Sequence, residues 1–178
     1  FHFGSATPMK LYQLPTVVLR EVYENPTTLG VLPWLSRERD IWWMQLAQGG
    51  ENVPKILAAL PFLDNPSGGF EDLNSLVIGQ AEPEPSGDDV TLMVVATRDE
   101  VSRARLNENL VKAGLKGYCA DSRSPDTGDG DWLHLIEMPE FVAKNDPRLE
   151  ELGKINGDGF IKAVILGAYA VPIQQSIT

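Results

Sequence analysis

A thiol, a carboxylate and an imidazole stand close together in this sequence, as Cys119, Asp121 and His134. These are the parts of nucleophilic catalysis, in which a base draws the proton from a thiol. They fall on two runs that read as neighbouring strands, where alternation puts Cys119 and Asp121 on one face. The expectation for both candidates is nevertheless structural: a buried thiol at Cys119 and a hydrogen-bonded imidazole at His134. A second group is Asp126-Thr127-Gly128-Asp129-Gly130-Asp131 with Glu137, where Asp126 and Glu137 hold the outer places of a calcium loop. Gly128 and Gly130 stand where oxygen ligands are needed, and Asp131 where glycine is needed, so a solvated acidic turn is expected there. Trp34, Trp42, Trp43 and Trp132 could line an aromatic pocket, but Trp42 and Trp43 are adjacent and point about 100° apart on a helix. Core or interface packing is their expected role. With no phosphate-binding glycine loop and no zinc spacing, neither a metal nor a cofactor is expected. Arg37, Arg39, Arg103 and Arg105 are candidates for a small anion site, although charged helix faces have the same look.

The elements that must position these residues divide at Ala81-Glu82-Pro83-Glu84-Pro85-Ser86-Gly87-Asp88-Asp89, a seam of proline, glycine and acid with no helix or strand period. After it, Val90–Thr97 is an apolar run of strand length. A helix follows, N-capped by Asp99 or Thr97, with Val101, Ala104, Leu106, Leu110, Val111 and Ala113 at helical spacing and Gly114 as its stop. Strands are predicted over Lys116–Ser122 and Trp132–Met138, joined by a loop of turn formers. Asn145-Asp146-Pro147 opens a second helix, whose apolar face is Leu149, Leu152 and Ile155 and which Asn156-Gly157 ends. Phe160–Val171 is the last strand. The order is βαββαβ, two helices covering one face of an antiparallel sheet. In the first half, helices are predicted over Pro15–Tyr23 and Arg37–Gln48. Strands are predicted at Leu29–Leu32, Lys55–Phe62 and Leu73–Gln80, giving a small α/β unit. The domain expectation is 1–81 and 90–174.

Composition bounds the role. Of 178 residues, 43% are hydrophobic and 22% charged, an ordinary globular balance. The net charge of -10 has the wrong sign for neutralising phosphates, so neither nucleic acid nor an anionic membrane surface is an expected partner. Cys119 is the one cysteine, which excludes an internal disulfide and suits a reducing cytoplasm. Phe160–Ile173 is too short to span a bilayer, which takes about 20 apolar residues. The chain opens on Phe1, as a fragment, a processed form or the ordered part of something longer would.

Several stretches resemble prephenate dehydratases. Gly30-Val31-Leu32-Pro33 is similar to the family's Gly-Val-Leu-Pro. Leu76-Val77-Ile78-Gly79, followed by Pro85-Ser86-Gly87-Asp88-Asp89, resembles its passage into the regulatory ACT domain. Asp121-Ser122-Arg123-Ser124 is similar to Glu-Ser-Arg-Pro, Asp146-Pro147-Arg148-Leu149 to Asp-Pro-Arg-Val, and Leu166-Gly167-Ala168-Tyr169 to Leu-Gly-Ser-Tyr. The likeness extends to a degenerate dehydratase-like region that follows a chorismate mutase domain in some bacterial proteins. It implies an α+β fold, with a ferredoxin-like ACT-type domain behind a reduced, periplasmic-binding-like α/β unit.

The departures bear on function. Where the family carries its Thr-Arg-Phe chemistry, this register places Leu73, Asn74 and Ser75. An aliphatic side chain replaces the hydroxyl, and a neutral amide replaces the guanidinium that forks onto a carboxylate. Trp34-Leu35-Ser36 replaces Glu-Asn-Ser, the segment between the landmarks is short, and the family's first glycine-rich strand is missing. No catalytic residues are therefore expected. The family's effector site uses a Gly-Ala-Leu turn and the Glu-Ser-Arg-Pro strand. The resemblance maps these onto Val101, Ser102, Asp121, Ser122 and Arg123, with the turn glycine lost and the strand retained in type. The expectation is a non-catalytic protein of aromatic amino-acid biosynthesis, regulating or organising a chorismate-processing enzyme. Its implied partners are an aromatic amino-acid effector, a second copy of itself and a chorismate mutase domain or enzyme. An active prephenate dehydratase and a plain dimerisation module are the alternatives.

Overall fold

The computed structural model describes residues 8–33, 42–50, 52–60, 63–64, 75–125, 130–171 and 173–174. Its first half holds α1 (Pro15–Glu24), β1 (Gly30–Pro33), α2 (Trp43–Leu46), β2 (Lys55–Leu60), β3 (Leu63–Asp64) and β4 (Ser75–Gly79). Its second half holds β5 (Asp89–Thr97), α3 (Arg103–Lys112), β6 (Tyr118–Arg123), β7 (Trp132–Met138), α4 (Pro147–Asn156), β8 (Phe160–Ala170) and β9 (Ile173–Gln174). The βαββαβ order over 89–170 is present, with strands in the spatial order β8-β5-β7-β6 and antiparallel throughout. The fold is α+β.

Beyond the seam the two halves share one seven-stranded sheet, β1-β4-β2-β8-β5-β7-β6, joined where β2 lies parallel to β8. The contact is a backbone approach: Gly167 of β8, at φ +143, faces Ile56, and a Cβ there would overlap the Ile56 main chain. Only glycine reaches that conformation without strain. The seam itself is a built turn, since the Asp89 carboxylate accepts from Ser86 N, Ser86 Oγ and Gly87 N at 2.7–3.0 Å.

The two sheet faces carry separate cores. On one, α3 and α4 cover Met93, Val95, Ile136, Met138 and Ile165 with Leu106, Leu110 and Leu152. Helix α3 differs from expectation at both ends of the argument. Ser102 caps it, its Oγ accepting from Arg105 N at 3.3 Å, while Thr97 instead donates to the Asp99 carbonyl. Ala104 and Val111 face solvent, and the buried stripe is Leu106, Asn109, Leu110 and Ala113. Asn109 is buried because it donates to Asn156 Oδ1 at 2.8 Å, tying α3 to α4. Asp146 caps α4, and Gly114, at φ +77, ends α3.

On the other face, Leu92, Val94, Leu135 and Leu166 pack against Trp42, Trp43 and Leu46. The short α2 is held from its start by Trp42 Nε1, which donates to the Pro33 carbonyl at 3.2 Å. Both tryptophans are core residues although they diverge, because α2 lies embedded and not on a surface. The apolar face that an isolated four-stranded unit would expose is therefore covered from within the chain.

Candidate functional site

The side chains singled out for chemistry gather where β5 ends, α3 begins and β6 runs along the sheet edge. A bulge in β6 decides their arrangement. Cys119 pairs with Ile136 but Asp121 already pairs with Leu135, so one residue is inserted between them. Such an insertion reverses which face the following side chains take. Cys119 therefore shares the helix-covered face with Ser122 and His134, and Asp121 turns away from it. The expected pairing of Cys119 with Asp121 on one face is thus corrected by that inserted residue.

The result is a buried polar chain. Thr97 Oγ1 donates to the Asp99 carbonyl at 2.7 Å, so it accepts from His134 Nε2 at 3.0 Å. His134 Nδ1 is then the acceptor for the Ser122 hydroxyl at 3.0 Å. Ser122 Oγ in turn meets Cys119 Sγ at 3.3 Å, and the thiol also reaches the Asp121 carbonyl oxygen at 3.3 Å. Trp132 stacks beside the imidazole, ring centroids 6.5 Å apart. Burial holds the His134 pKa below its ordinary value, favouring the neutral ring that this donor pattern needs. Burial also pushes the Cys119 thiol up, against the pull of Ser122 and Arg103. A protonated, enclosed thiol is a weak nucleophile, and the hydrogen bonds of both residues suit a structural role.

Beside it lies the more exposed charged cluster. The Asp121 carboxylate accepts from Arg123 Nε at 2.7 Å and faces Arg103 Nη2 at 3.6 Å. It also accepts from the Ser122 N–H at 2.9 Å, which fixes its direction. Of the residues mapped onto an effector site, the structure brings Ser102, Asp121, Ser122 and Arg123 to this one corner. Val101, half-buried, packs partly against the helix-side core. Arg103, not among the mapped residues, joins them. The sequence offers it as one of four arginines that could hold a small anion. Ser75 opens β4, paired with Pro33 and Leu60. Leu73, Asn74, Trp34, Arg37, Arg39 and the turn residues Asp126–Asp129 lie outside the described residues. Among the described residues no group of acids, histidines or cysteines could hold a metal ion, and no helix is long and apolar enough to cross a membrane.

With this geometry in place, similarity to solved structures adds the fold. The chain is similar to a prephenate dehydratase from Streptococcus mutans, with TM-score 0.61 and 17% identity over 92% of this chain and 85% of that one. It is similar to a prephenate dehydratase from Arthrobacter aurescens solved in complex with L-Phe, with TM-score 0.58 and 12% identity over 90% and 81%. GqqA, described as a novel type of quorum-quenching acylase, has TM-score 0.61 and 14% identity over 90% and 81%. No family model and no curated protein sequence matches the chain. The fold is prephenate dehydratase-like, and identities this low carry neither activity nor ligand.

Proposed function

We propose that the chain is a non-catalytic, prephenate dehydratase-like protein of aromatic amino-acid biosynthesis whose 90–174 half acts as an ACT-type effector domain. The observation that carries this reading is the corner where α3 starts against β6. There a carboxylate, Asp121, lies between two guanidinium groups, Arg103 and Arg123, beside a helix N-terminus capped by Ser102. An amino acid presents one carboxylate and one ammonium. A corner with both charge signs can hold the pair, guanidinium to carboxylate and Asp121 to ammonium. Val101, which stands where the family has its turn glycine, packs partly against the helix-side core.

In this reading the protein works in the cytoplasm, as a homodimer, with a chorismate mutase domain or enzyme as its functional partner. Since α2 covers the sheet face, a second copy would pair along the β6 edge, beside the effector corner. A strand edge carries unpaired backbone groups that suit such a junction.

A calorimetric and thermal-shift titration with phenylalanine tests the reading. A ligand bound by the folded state alone adds about 2.7 kcal/mol of stability at a hundredfold over its dissociation constant. We expect a saturable shift that Arg123→Ala abolishes. No shift with phenylalanine, tyrosine or tryptophan would sink the effector role, and turnover of prephenate would sink the non-catalytic one.

A further inference from the structure

Away from the effector corner, at the end of the sheet where β5 begins, lies a cavity of about 340 Å³. Its floor is β2 and β8, on the face that α3 and α4 cover further along. Among the described residues, no helix lines this part of β2. The seam segment Glu82–Pro85 and residues 141–145 roof it instead, the latter anchored by Thr91 Oγ1, which accepts from Val142 N at 3.0 Å. Pro83, Pro85, Phe141, Val142 and Ile165 make most of the lining apolar.

One cation stands at its base. Lys55 opens β2 half-buried, and its Nζ donates to the Ile165 carbonyl oxygen at 3.0 Å. An ammonium has three donors, and among the described residues no carboxylate lies within ion-pair distance of this one. Glu82, whose field does reach Lys55, is held by Lys144 at 3.0 Å across the rim. Burial holds the Lys55 pKa below its ordinary value, with Glu82 opposing and Lys144 assisting. A charge drawn partly out of water, with one neutral acceptor, gains from an anion brought to it.

We propose that this cavity binds a small carboxylate with an apolar body, its head on Lys55 and its aryl or branched aliphatic part against Phe141, Pro83 and Pro85. The volume sits at the lower end of the roughly 300–1,000 Å³ typical of small-molecule sites. A phosphate is a poorer fit, because a dianion needs several converging donors and Glu82 and Glu84 stand at the rim. The cavity and the effector corner lie at opposite ends of β5 and share no residue, so either reading can fail without the other.

The test is calorimetry of the full chain with phenylacetate and, separately, inorganic phosphate. Saturable binding of phenylacetate is expected, weakened at least tenfold in Lys55→Met and largely kept in Lys55→Arg, with no binding of phosphate. Methionine keeps the length of the stem and removes a half-buried charge, so the fold is expected to hold, with circular dichroism as the check. Should it not hold, the carbon shift of the Lys55 ε-methylene in the unmutated protein decides: it moves with phenylacetate if the head sits on Lys55. The proposal is overturned by no binding at millimolar phenylacetate, by an unmoved Lys55 resonance, by equal binding in Lys55→Met, or by phosphate binding as tightly.

Discussion

Replacing Gly167 by alanine puts the join between the two halves to a direct test. At φ +143 an alanine is strained whatever the space around it, and its Cβ would fall on the Ile56 oxygen and nitrogen, and 2.7 Å from the Ile56 Cα. Backbone strain of this kind costs about 1–3 kcal/mol. Overpacking a tight interior costs about 1–3 kcal/mol more, and here the obstacle is main chain, which cannot swing aside like a side-chain end. The expected loss is therefore about 2–6 kcal/mol, a large part of the roughly 5–15 kcal/mol that holds a domain together. Gly159→Ala is the control, with ordinary φ and nothing within 4 Å of the added carbon, expected to lie between neutral and about 1 kcal/mol stabilising. Urea unfolding followed by tryptophan fluorescence reads both, since Trp42 and Trp43 are buried against strands of both halves. A Gly167→Ala midpoint within about 0.5 kcal/mol of the parent, against the loss expected here, would refute the close approach of β2 to β8.

His134 supplies a pH prediction. Its folded-state pKa is lowered by burial from the ordinary 6.5, so below that pH the unfolded chain takes up a proton that the folded chain does not. Stability then falls as pH drops through 6.5 toward the folded pKa, with a slope of at most about 1.4 kcal/mol per pH unit for one group. His134→Gln should flatten that slope in urea titrations, and an unchanged slope would remove His134 as its cause. Asp146 caps α4 through Arg148 N at 2.9 Å and holds the Arg148 guanidinium, which also donates to Glu140 and to the Gly114 carbonyl oxygen. Asp146→Ala should lose about 1–2 kcal/mol, measured by thermal unfolding, while Asp146→Asn, which keeps a capping oxygen, should lose less.

The second half was legible because each element carries its own local signal. Trp132–Met138 is a mostly apolar run at hairpin distance from the strand before it, Asp146-Pro147 both caps and opens α4, and Gly114 stops α3 in a conformation that favours glycine. What stayed hidden depends on long-range pairing. The residue inserted in β6 shows no mark in Tyr118–Arg123, yet it puts Cys119 and Ser122 on one face and Asp121 on the other. The parallel contact of Ile56 with Gly167 spans more than a hundred positions of sequence, and no periodicity within either strand reports it. The α3 cap is ambiguous for a simpler reason: Thr97, Asp99 and Ser102 are all capping residue types, and the Thr97 hydroxyl is taken by the Asp99 carbonyl and His134 while Ser102 caps.

The buried chain Thr97–His134–Ser122–Cys119 explains why the charged corner can be both exposed and well defined. An exposed ion pair alone orients little, since long side chains lose entropy for about 0–1 kcal/mol of attraction. Here the Ser122 main chain is fixed from beneath, its hydroxyl donating to a neutral imidazole that is itself tied to Thr97. Because Ser122 N donates to the Asp121 carboxylate, that rigidity passes to the acid that positions Arg103 and Arg123. His134 would thus be a positioning residue for any ligand at the corner. Charging it would reverse the Ser122 hydrogen bond, since a doubly protonated ring can only donate to the hydroxyl, and would place an unpaired charge in the buried chain. Ligand affinity at the corner and fold stability should therefore weaken over the same acidic range. Phenylalanine titrations across that range, in the parent and in His134→Gln, should show the affinity loss only in the parent. The same loss in both would assign it to the exposed charges instead.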